Sequence, residues 1–349
     1  MKNSNLLLTI MGTRPQYVKC AVLRDAYRAT GITELLLDTG QHYDENMSSA
    51  IFRQLGVADP DIKLPGGSQS QCKTLGSIII ELEDIVTDLN PSAIVVLGDT
   101  NSTLAGGIVA KKLGFPLLHI EAGLRSQDMT MPEEQNRVMI DHISDYLFCP
   151  TNRAVLNLEA EGLVDGVYFT GDVMFDAVLK YRSRFVRPEI ASSFLSNCGF
   201  DLITLHRAES LKTKTALQSR IDFIREQSLV PSRLFILHPH TKMKIIEFDL
   251  DISDFICVGP LGYLEMQWLL SEANHVFTDS GGLQKEAFFH GCRTTTMRNS
   301  TEWEETFSNG INQLWNSASK FESSPNIGEP FGGGDAADRI ATLIGDLLY

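Results

Sequence analysis

The sequence has fewer basic than acidic side chains and no long apolar run. Among its 349 residues are 30 lysines and arginines against 44 aspartates and glutamates, for a formal net charge of −14 at pH 7. Because such a charge repels nucleic acid and anionic bilayers, we expect neither as a partner. The opening stretch MKNSNLLLTIMG holds too short an apolar run for a secretion signal or a membrane span, so we expect a cytoplasmic protein without a membrane segment.

The cysteines and histidines lack the spacing of a disulfide framework or a metal site. There is no CxxC pair and no Cys/His ligand pattern, so we predict no metal and expect the cysteines to be reduced core thiols. A GxGxxG fingerprint with a downstream acidic ribose partner is also missing, so no nicotinamide cofactor is expected. The cysteines are Cys20, Cys72, Cys149, Cys198, Cys257 and Cys292.

Short apolar runs alternate with helical patterns along the chain. A first series comprises NLLLTIMG, SAIVVLGD and FPLLHIEAG, with helices expected near 16–29, 102–113 and 132–145. A second series begins at DLITLHR and continues through RLFILHP, DFICVGP, NHVFTDSGG and RTTTMRN. This βαβ alternation predicts an α/β protein with two doubly wound parallel sheets, joined through a region near 171–200. In such sheets ligands bind at the carboxyl ends of strands.

We call the residues that directly follow a strand its exit, and one such exit indicates a phosphate site. In TDSGGLQKEAFFHG, residues 278–291, a strand leaves through Ser280, Gly281 and Gly282 directly into a helix. Glycines there let the backbone approach a ligand closely, and the N–H groups of the helix N-terminus bind anions.

Exits of the first series carry charged side chains. The turn Gly12–Pro15 leads into a helix that places Arg14 and Lys19 to meet an anion, although a surface turn with solvated cations would look the same. Asp99 follows VVLG, where it could serve as a helix cap or as an acid/base group.

Glu121 ends FPLLHIE and could act chemically or pair with Arg125. Glu133, Arg137 and Asp141 are spaced as a salt-bridge ladder on one helix face. Pro132 nevertheless holds Glu133 at the helix N-terminus, where its carboxylate can point into a cleft.

In the second series, His206 and Arg207 follow DLITL, where they suit a diphosphate, proton transfer or a structural polar pair.

The motifs GTRPQ, TGQH, GDTNSTLAG, HIEAGLRS, MPEEQNR, LHRAES, TDSGGLQKEA and MRNSTEWEE, in this order, resemble the non-hydrolysing UDP-N-acetylglucosamine 2-epimerase family over nearly the whole chain. The resemblance implies a GT-B-like fold, in which two Rossmann-like domains enclose the active site in an interdomain cleft. The expected domains are residues 1–174 with a returning C-terminal helix at 335–349, which carry the acid/base residues, and residues 175–334, which bind UDP. It also implies a homodimer.

Within that family the chain is similar to the subgroup acting on UDP-2,3-diacetamido-2,3-dideoxy-glucuronate, which supplies surface polysaccharide such as O-antigen. The supporting motifs are GTRPQYVK, GDVMFDA and TEWEE. In the last of them, Trp303 stands where the commoner pattern has arginine. The implied reaction is anti elimination of UDP to a glycal and re-addition, with the C2 proton delivered to the opposite face. An acidic sugar also predicts a spare cation near the ring, for which Lys19 and Arg125 are candidates.

The resemblance assigns roles to individual residues. It implies acid/base or glycal-stabilising roles for Asp99, Glu121 and Glu133, and places His206 beside the departing diphosphate. Sugar or phosphate contacts fall to Arg14, Lys19 and Arg137. Ser280, Gly281 and Gly282 are expected to bind the diphosphate, and Glu286 is expected to bind the ribose hydroxyls. Lys285 is expected to be a solvated helix residue.

Alternative functions remain open on the sequence. A hydrolysing epimerase that releases UDP and free sugar would use the same residues for ionising the anomeric bond. A GT-B glycosyltransferase would need an acceptor groove, and a UDP-sugar sensor would need only the phosphate site.

Overall fold

The computed structural model describes residues 6–41, 51–67, 70–194, 199–317 and 329–348. The chain divides into two compact units, which we call unit 1 (Met1–Leu179 with Glu329–Tyr349) and unit 2 (Lys180–Gly328). Each unit contains one parallel sheet with flanking helices, which confirms the predicted α/β class with two doubly wound domains. Cys198 and residues 42–47 of the TGQHYDENM exit lie outside the described residues.

Unit 1 is built on a seven-stranded sheet of order β3-β2-β1-β4-β5-β6-β7. The order reverses between β1 and β4, which pair directly, and this reversal is the topological switch point at which doubly wound sheets bind ligands. Its strands are β1 (Leu6–Met11), β2 (Thr33–Asp38), β3 (Ile62–Lys63), β4 (Ala93–Leu97), β5 (Leu117–Ile120), β6 (Tyr146–Cys149) and β7 (Val167–Phe169).

The helices of unit 1 follow the predicted pattern closely. They are α1 (Arg14–Ala29), α2 (Gln71–Leu89), α3 (Asn101–Leu113), α4 (Pro132–Ile143), α5 (Asn152–Ala160), α6 (Val173–Tyr181) and the C-terminal helix, which packs on α1. In α2, Ile78, Leu82 and Val86 are buried at helical spacing while Glu83 and Asp84 are exposed. The buried stripe joins a core formed with β1 and β4.

Unit 2 is built on a six-stranded parallel sheet of order β10-β9-β8-β11-β12-β13, with its switch point between β8 and β11. The strands are β8 (Phe200–Thr204), β9 (Ser232–Ile236), β10 (Ile256–Val258), β11 (His275–Thr278), β12 (Thr294–Thr296) and β13 (Asn312–Leu314). The helices are α7 (Ala191–Phe194), α8 (Ala208–Leu211), α9 (Lys214–Gln227), α10 (Pro239–Glu247), α11 (Tyr263–Glu272) and α12 (Gly281–Phe289); α13 (Ala336–Leu348) is the C-terminal helix of unit 1.

Two cysteines correct the expectation of core thiols. Cys20, Cys149 and Cys292 are buried, but Cys72 and Cys257 are exposed. Cys72 lies in the first turn of α2, before the apolar stripe begins, and Cys257 lies on β10, the edge strand of its sheet. Among the helices of the described residues, none is both long and apolar enough to cross a membrane.

Candidate functional site

Gln16 joins the two strand exits at the switch point of unit 1. Its carbonyl oxygen accepts hydrogen bonds from the N–H groups of Gly12 and Thr13 at 2.8 and 3.1 Å. Its amide donates to the carbonyl oxygen of Leu97 at 2.6 Å and to Thr100 at 3.2 Å. The turn after β1, which leads into Arg14, is therefore fixed to the turn after β4, which carries Asp99. Arg14 is the first residue of α1 and is partly buried.

Lys19 and Glu121 form an ion pair in which both side chains are largely buried, with 6% and 12% exposed. Glu121 directly follows β5 and has a positive φ of 70°. A Cβ added to Gly98 would lie 3.2 Å from Oε2 of Glu121, so the exits of β4 and β5 lie side by side. The sequence had also allowed Glu121 to pair with Arg125, but in the structure Glu121 pairs with Lys19.

Asp99 also has a buried cationic partner. Nη2 of Arg137 lies 2.5 Å from its Oδ2, and Nη1 of the same guanidinium lies 2.8 Å from Glu134. Glu134 in turn accepts hydrogen bonds from the N–H groups of Ser126 and Gln127, at 3.0 and 2.8 Å. Glu133 lies in the first turn of α4 and is partly buried.

The helical spacing of Arg137 and Asp141 therefore reflects two separate long-range sites. Arg137 pairs with Asp99 on the β4 exit, whereas Asp141 pairs with His119 on β5 and with Arg125. Sequence analysis missed His119, Glu134 and Asp141 as parts of the site. A histidine inside the apolar run FPLLHIE was the available signal, because a buried polar side chain requires a partner.

A small cavity of about 10 Å³ lies beside the Lys19 and Glu121 pair. Asp172, a further carboxylate that sequence analysis did not select, lines it and is buried. Its Oδ1 accepts a hydrogen bond from the N–H of Met174 at 2.7 Å, so it caps α6.

In unit 2, His206 lies on the turn after β8 and is held by Asp279, which follows β11. The fully buried Asp279 carboxylate accepts hydrogen bonds of 3.0 Å from the N–H groups of His206 and Arg207. Nδ1 of His206 lies 3.6 Å from Oδ1 of Asp279. Burial lowers the pKa of His206 below its ordinary value, against the opposing effect of Asp279.

Ser280, Gly281 and Gly282 open α12 at the same switch point. Ser280 caps the helix by accepting a hydrogen bond from the N–H of Leu283. A Cβ on Gly281 would collide with the carboxylate of Glu302, which is paired with Arg298 at 2.9 Å. A Cβ on Gly282 would have only the Ser280 hydroxyl within 4.0 Å among the described residues. Gly281 therefore has a structural reason to be glycine, whereas the space beside Gly282 is open to a ligand.

The residues that follow in α12 differ from expectation at one position. Glu286 is partly exposed. The prediction that Lys285 is solvated is wrong, because only 2% of it is exposed and Nζ lies 3.9 Å from the centroid of the Trp303 ring. A cation over an indole face is stabilised by the ring quadrupole, so Lys285 can be buried there.

Neither candidate for the spare cation is spare. Lys19 is paired with Glu121, and Arg125 is paired with Asp141 and Glu161, both at 2.7 Å. The predicted residues thus fall into two groups, one in each unit. Lys19, Asp99, Glu121 and Arg137 come together in unit 1, and His206 with the Ser280–Gly282 turn marks the switch point of unit 2. In the described parts of the chain, no group of three His, Cys, Asp or Glu side chains could hold a metal ion.

Two Rossmann-like units, one with acidic residues at its switch point and one with a glycine-opened helix there, give the chain a GT-B-like fold. The family model described as UDP-N-acetylglucosamine 2-epimerase matches residues 24–345, and the chain belongs to that family. The family's members are isomerases, as the sequence resemblance predicted.

Individual relatives match over nearly their full length. The chain is 41% identical to UDP-2,3-diacetamido-2,3-dideoxy-D-glucuronate 2-epimerase of Pseudomonas aeruginosa, over 98% of this chain and 99% of the relative. It is similar, with a TM-score of 0.85 and 34% identity, to the Methanocaldococcus jannaschii UDP-GlcNAc 2-epimerase solved in complex with UDP-GlcNAc and UDP, over 98% and 99% of the two chains. The Neisseria meningitidis UDP-GlcNAc 2-epimerase bound to UDP-GlcNAc gives a TM-score of 0.86 at 27% identity, over 98% and 100%.

Proposed function

We propose that the protein is a UDP-sugar C2 epimerase that eliminates UDP to a glycal and adds it back, without releasing free sugar. The observation that carries the proposal is the pair of charge-compensated carboxylates at neighbouring exits, Glu121 with Lys19 and Asp99 with Arg137. Inversion at C2 without oxidation requires proton donors or acceptors on both faces of the ring, which one carboxylate cannot supply.

In unit 1, the acid/base roles fall to Asp99, Glu121 and Glu133. Asp99 and Glu121 lie on exits that are adjacent in the sheet, and Glu133 lies at the N-terminus of α4, the helix that also carries Arg137. Arg14, Lys19 and Arg137 provide the sugar or phosphate contacts. Because Lys19 and Arg137 are already bound to these carboxylates, they also fix the positions of the proton-transfer groups.

In unit 2, UDP is bound at the β8 and β11 exits. The N–H groups at the start of α12 and the open space beside Gly282 suit the diphosphate, and Glu286 suits the ribose hydroxyls. His206, held by Asp279 through its backbone, donates to the diphosphate as negative charge develops on departing UDP. This division corresponds to a sugar-processing domain of residues 1–174 with 335–349 and a UDP-binding domain of residues 175–334.

The substrate that we propose first is UDP-2,3-diacetamido-2,3-dideoxy-glucuronate, with UDP-N-acetylglucosamine second. The support is the name of the Pseudomonas aeruginosa relative at 41% identity, together with TEWEE around Trp303. Trp303, which stands where the commoner pattern has arginine, is buried against Lys285 and supplies no positive charge for a sugar carboxylate.

The decisive comparison offers each UDP-sugar to the purified enzyme and follows the products by ³¹P NMR. We expect the diphosphate ester to stay intact while a second UDP-sugar, the manno epimer, accumulates. Stoichiometric release of free UDP would instead identify a hydrolysing epimerase. UDP release that requires an added sugar acceptor would identify a glycosyltransferase, and unchanged spectra with both sugars would leave only a binding function.

A homodimer formed through helices of unit 1 is also proposed. Two large apolar side chains on those helices are well exposed, Met139 on α4 at 45% and Leu156 on α5 at 55%. Sedimentation equilibrium should give twice the chain mass, and a monomer at micromolar concentration would contradict it. Cytoplasmic localisation stays a prediction from the sequence, and a place in O-antigen synthesis stays a prediction from the resemblance.

A further inference from the structure

A buried carboxylate beneath the acidic exits of unit 1 binds three residues of β5 and the turn that follows it. Asp141 on α4 is fully buried, and its Oδ1 lies 2.7 Å from Nδ1 of His119 on β5. Its Oδ2 accepts hydrogen bonds from the N–H of Gly123 at 3.0 Å and from Nη1 of Arg125 at 2.7 Å. The turn that follows Glu121 is therefore attached to α4 at two points.

His119 carries the connection to the neighbouring strand exit. It is fully buried, and its Nε2 lies 2.7 Å from the carbonyl oxygen of Gly98, the residue before Asp99. A carbonyl oxygen can only accept, so Nε2 is protonated. The charges of His119 and Arg125 hold the pKa of Asp141 below its ordinary value despite burial. The hydrogen bond between Nδ1 and Oδ1 joins His119 to this carboxylate.

Both segments that His119 and Asp141 attach contain a positive φ, which is unusual only at Glu121 because glycine adopts it readily. Gly98 has a φ of 64° and Glu121 has a φ of 70°. A residue with a side chain persists at positive φ only where surrounding bonds determine the conformation. The bond from His119 to Gly98 and the bond from Asp141 to Gly123 provide those constraints on either side of the two carboxylates.

We propose that His119 and Asp141 are positioning residues, which hold the exits of Asp99 and Glu121 in the geometry that proton transfer at C2 requires. The inference rests on the proposed epimerase function and adds two residues that act through the backbone of the β4 and β5 exits. Glu161, bound to Arg125 at 2.7 and 2.8 Å, completes the cluster of His119, Asp141 and Arg125.

A purely structural alternative is that the cluster only stabilises the core. Buried ion networks contribute little net stability compared with well-packed apolar residues, so stability alone does not account for such an arrangement. The alternatives differ in kinetics, because a positioning role affects kcat while leaving the binding of UDP in unit 2 unchanged.

The test compares Asp141→Leu and His119→Phe, which remove the hydrogen bonds, with Asp141→Asn. If its oxygen faces Gly123 and Arg125, the asparagine amide can donate to a neutral His119, so the bonds survive and only the charge is lost. We expect Asp141→Leu and His119→Phe to lower kcat by roughly 10- to 100-fold, the scale expected for misplaced reacting groups, with KM and UDP affinity close to wild type. Asp141→Asn should recover a large part of the lost kcat.

Two controls separate the possible failures. Wild-type turnover is measured first, and its absence with both UDP-sugars would sink the proposed function itself. With an active wild type, a His119→Phe enzyme that binds UDP and keeps full kcat would overturn the positioning role.

If the apolar variants do not fold, ¹⁵N NMR of histidine-labelled wild-type enzyme provides the second reading. Nε2 of His119 should carry a proton in the wild type and in Asp141→Asn, because the carbonyl oxygen of Gly98 can only accept. A wild-type His119 whose Nε2 carries no proton would remove the connection to the Gly98 exit and overturn the inference.

Discussion

The ammonium group of Lys19 on α1 is bound to the carboxylate of Glu121 at the end of β5, and both side chains are largely buried. The pair joins the helix that follows β1 to the exit of β5. The sequence had suggested Lys19 as a spare cation for an acidic sugar, but its charge is already compensated by Glu121.

Replacing Lys19 by methionine should impair both candidate sugars alike. The change leaves the Glu121 carboxylate without this buried counter-charge, a situation that costs roughly 3–5 kcal/mol of stability when such pairs are broken. We expect kcat to fall by about 100-fold with UDP-N-acetylglucosamine and with the diacetamido-glucuronate. A loss confined to the acidic sugar would show that Lys19 reads its carboxylate instead.

The matched control is Lys111→Met in the same unit. Lys111 lies 2.7 Å from Asp145, but both side chains are more than a third exposed, at 38% and 39%. Exposed pairs contribute about 0–1 kcal/mol, so this variant should keep both its urea midpoint and its activity.

Gly281→Ala and Gly282→Ala should separate folding from ligand binding at the start of α12. The methyl group on Gly281 meets Glu302, and overpacking of this kind should lower the free energy of unfolding by about 1–3 kcal/mol. The methyl group on Gly282 meets open space, so stability should hold or rise by about 0.5–1 kcal/mol from helix propensity.

For Gly282→Ala the affinity for UDP should instead fall by about tenfold, equivalent to about 1.4 kcal/mol. Urea denaturation and titration calorimetry with UDP measure the two effects on the same samples. Wild-type UDP affinity in Gly282→Ala would contradict the placement of the diphosphate there.

UDP binding should be accompanied by proton uptake at His206. Burial lowers its pKa, so the imidazole is mostly neutral near pH 7, and an adjacent diphosphate favours the protonated form. Calorimetric enthalpies measured in two buffers of different ionisation enthalpy should differ by the protons taken up. The difference should vanish in His206→Gln, and an equal difference in that variant would assign the uptake to another group.

Glu34 on β2 should make unit 1 more stable as the pH falls towards 5. Its side chain is only 4% exposed, and burial raises its pKa from 4.5 to about 7, although Thr9 and Arg24 partly compensate. Between these values the folded state binds a proton that the unfolded state releases, so the contribution to stability is complete below pH 4.5 and is lost as the pH rises through 7.

Denaturation of Glu34→Gln and wild type at pH 5 and pH 8 tests this effect. The glutamine variant should gain on the order of 3 kcal/mol relative to wild type over that interval, following the size of the shift. The exposed Glu83→Gln should show no such change. A parallel pH response of wild type and Glu34→Gln would contradict the buried ionisation.

The sheets and most helices could be predicted because the information is local. The apolar run SAIVVLGD became β4, and the stripe of Ile78, Leu82 and Val86 became the buried face of α2. Short elements such as β13 were not predicted because three residues are too few to establish a period.

Partners of the charged residues could not be predicted, since they come from distant segments. The spacing of Arg137 and Asp141 fits a ladder along α4, yet their partners lie on the β4 exit and on β5. Lys285 was expected in solvent because nothing in α12 itself indicates that Trp303 covers it.

The most direct test of the epimerase proposal is ¹H NMR of the purified enzyme in D₂O with UDP-2,3-diacetamido-2,3-dideoxy-glucuronate and with UDP-N-acetylglucosamine. Elimination and re-addition predict deuterium at C2 in a product that keeps its UDP and has the manno configuration. A manno product that retains its C2 proton, or free UDP with free sugar, would contradict that mechanism.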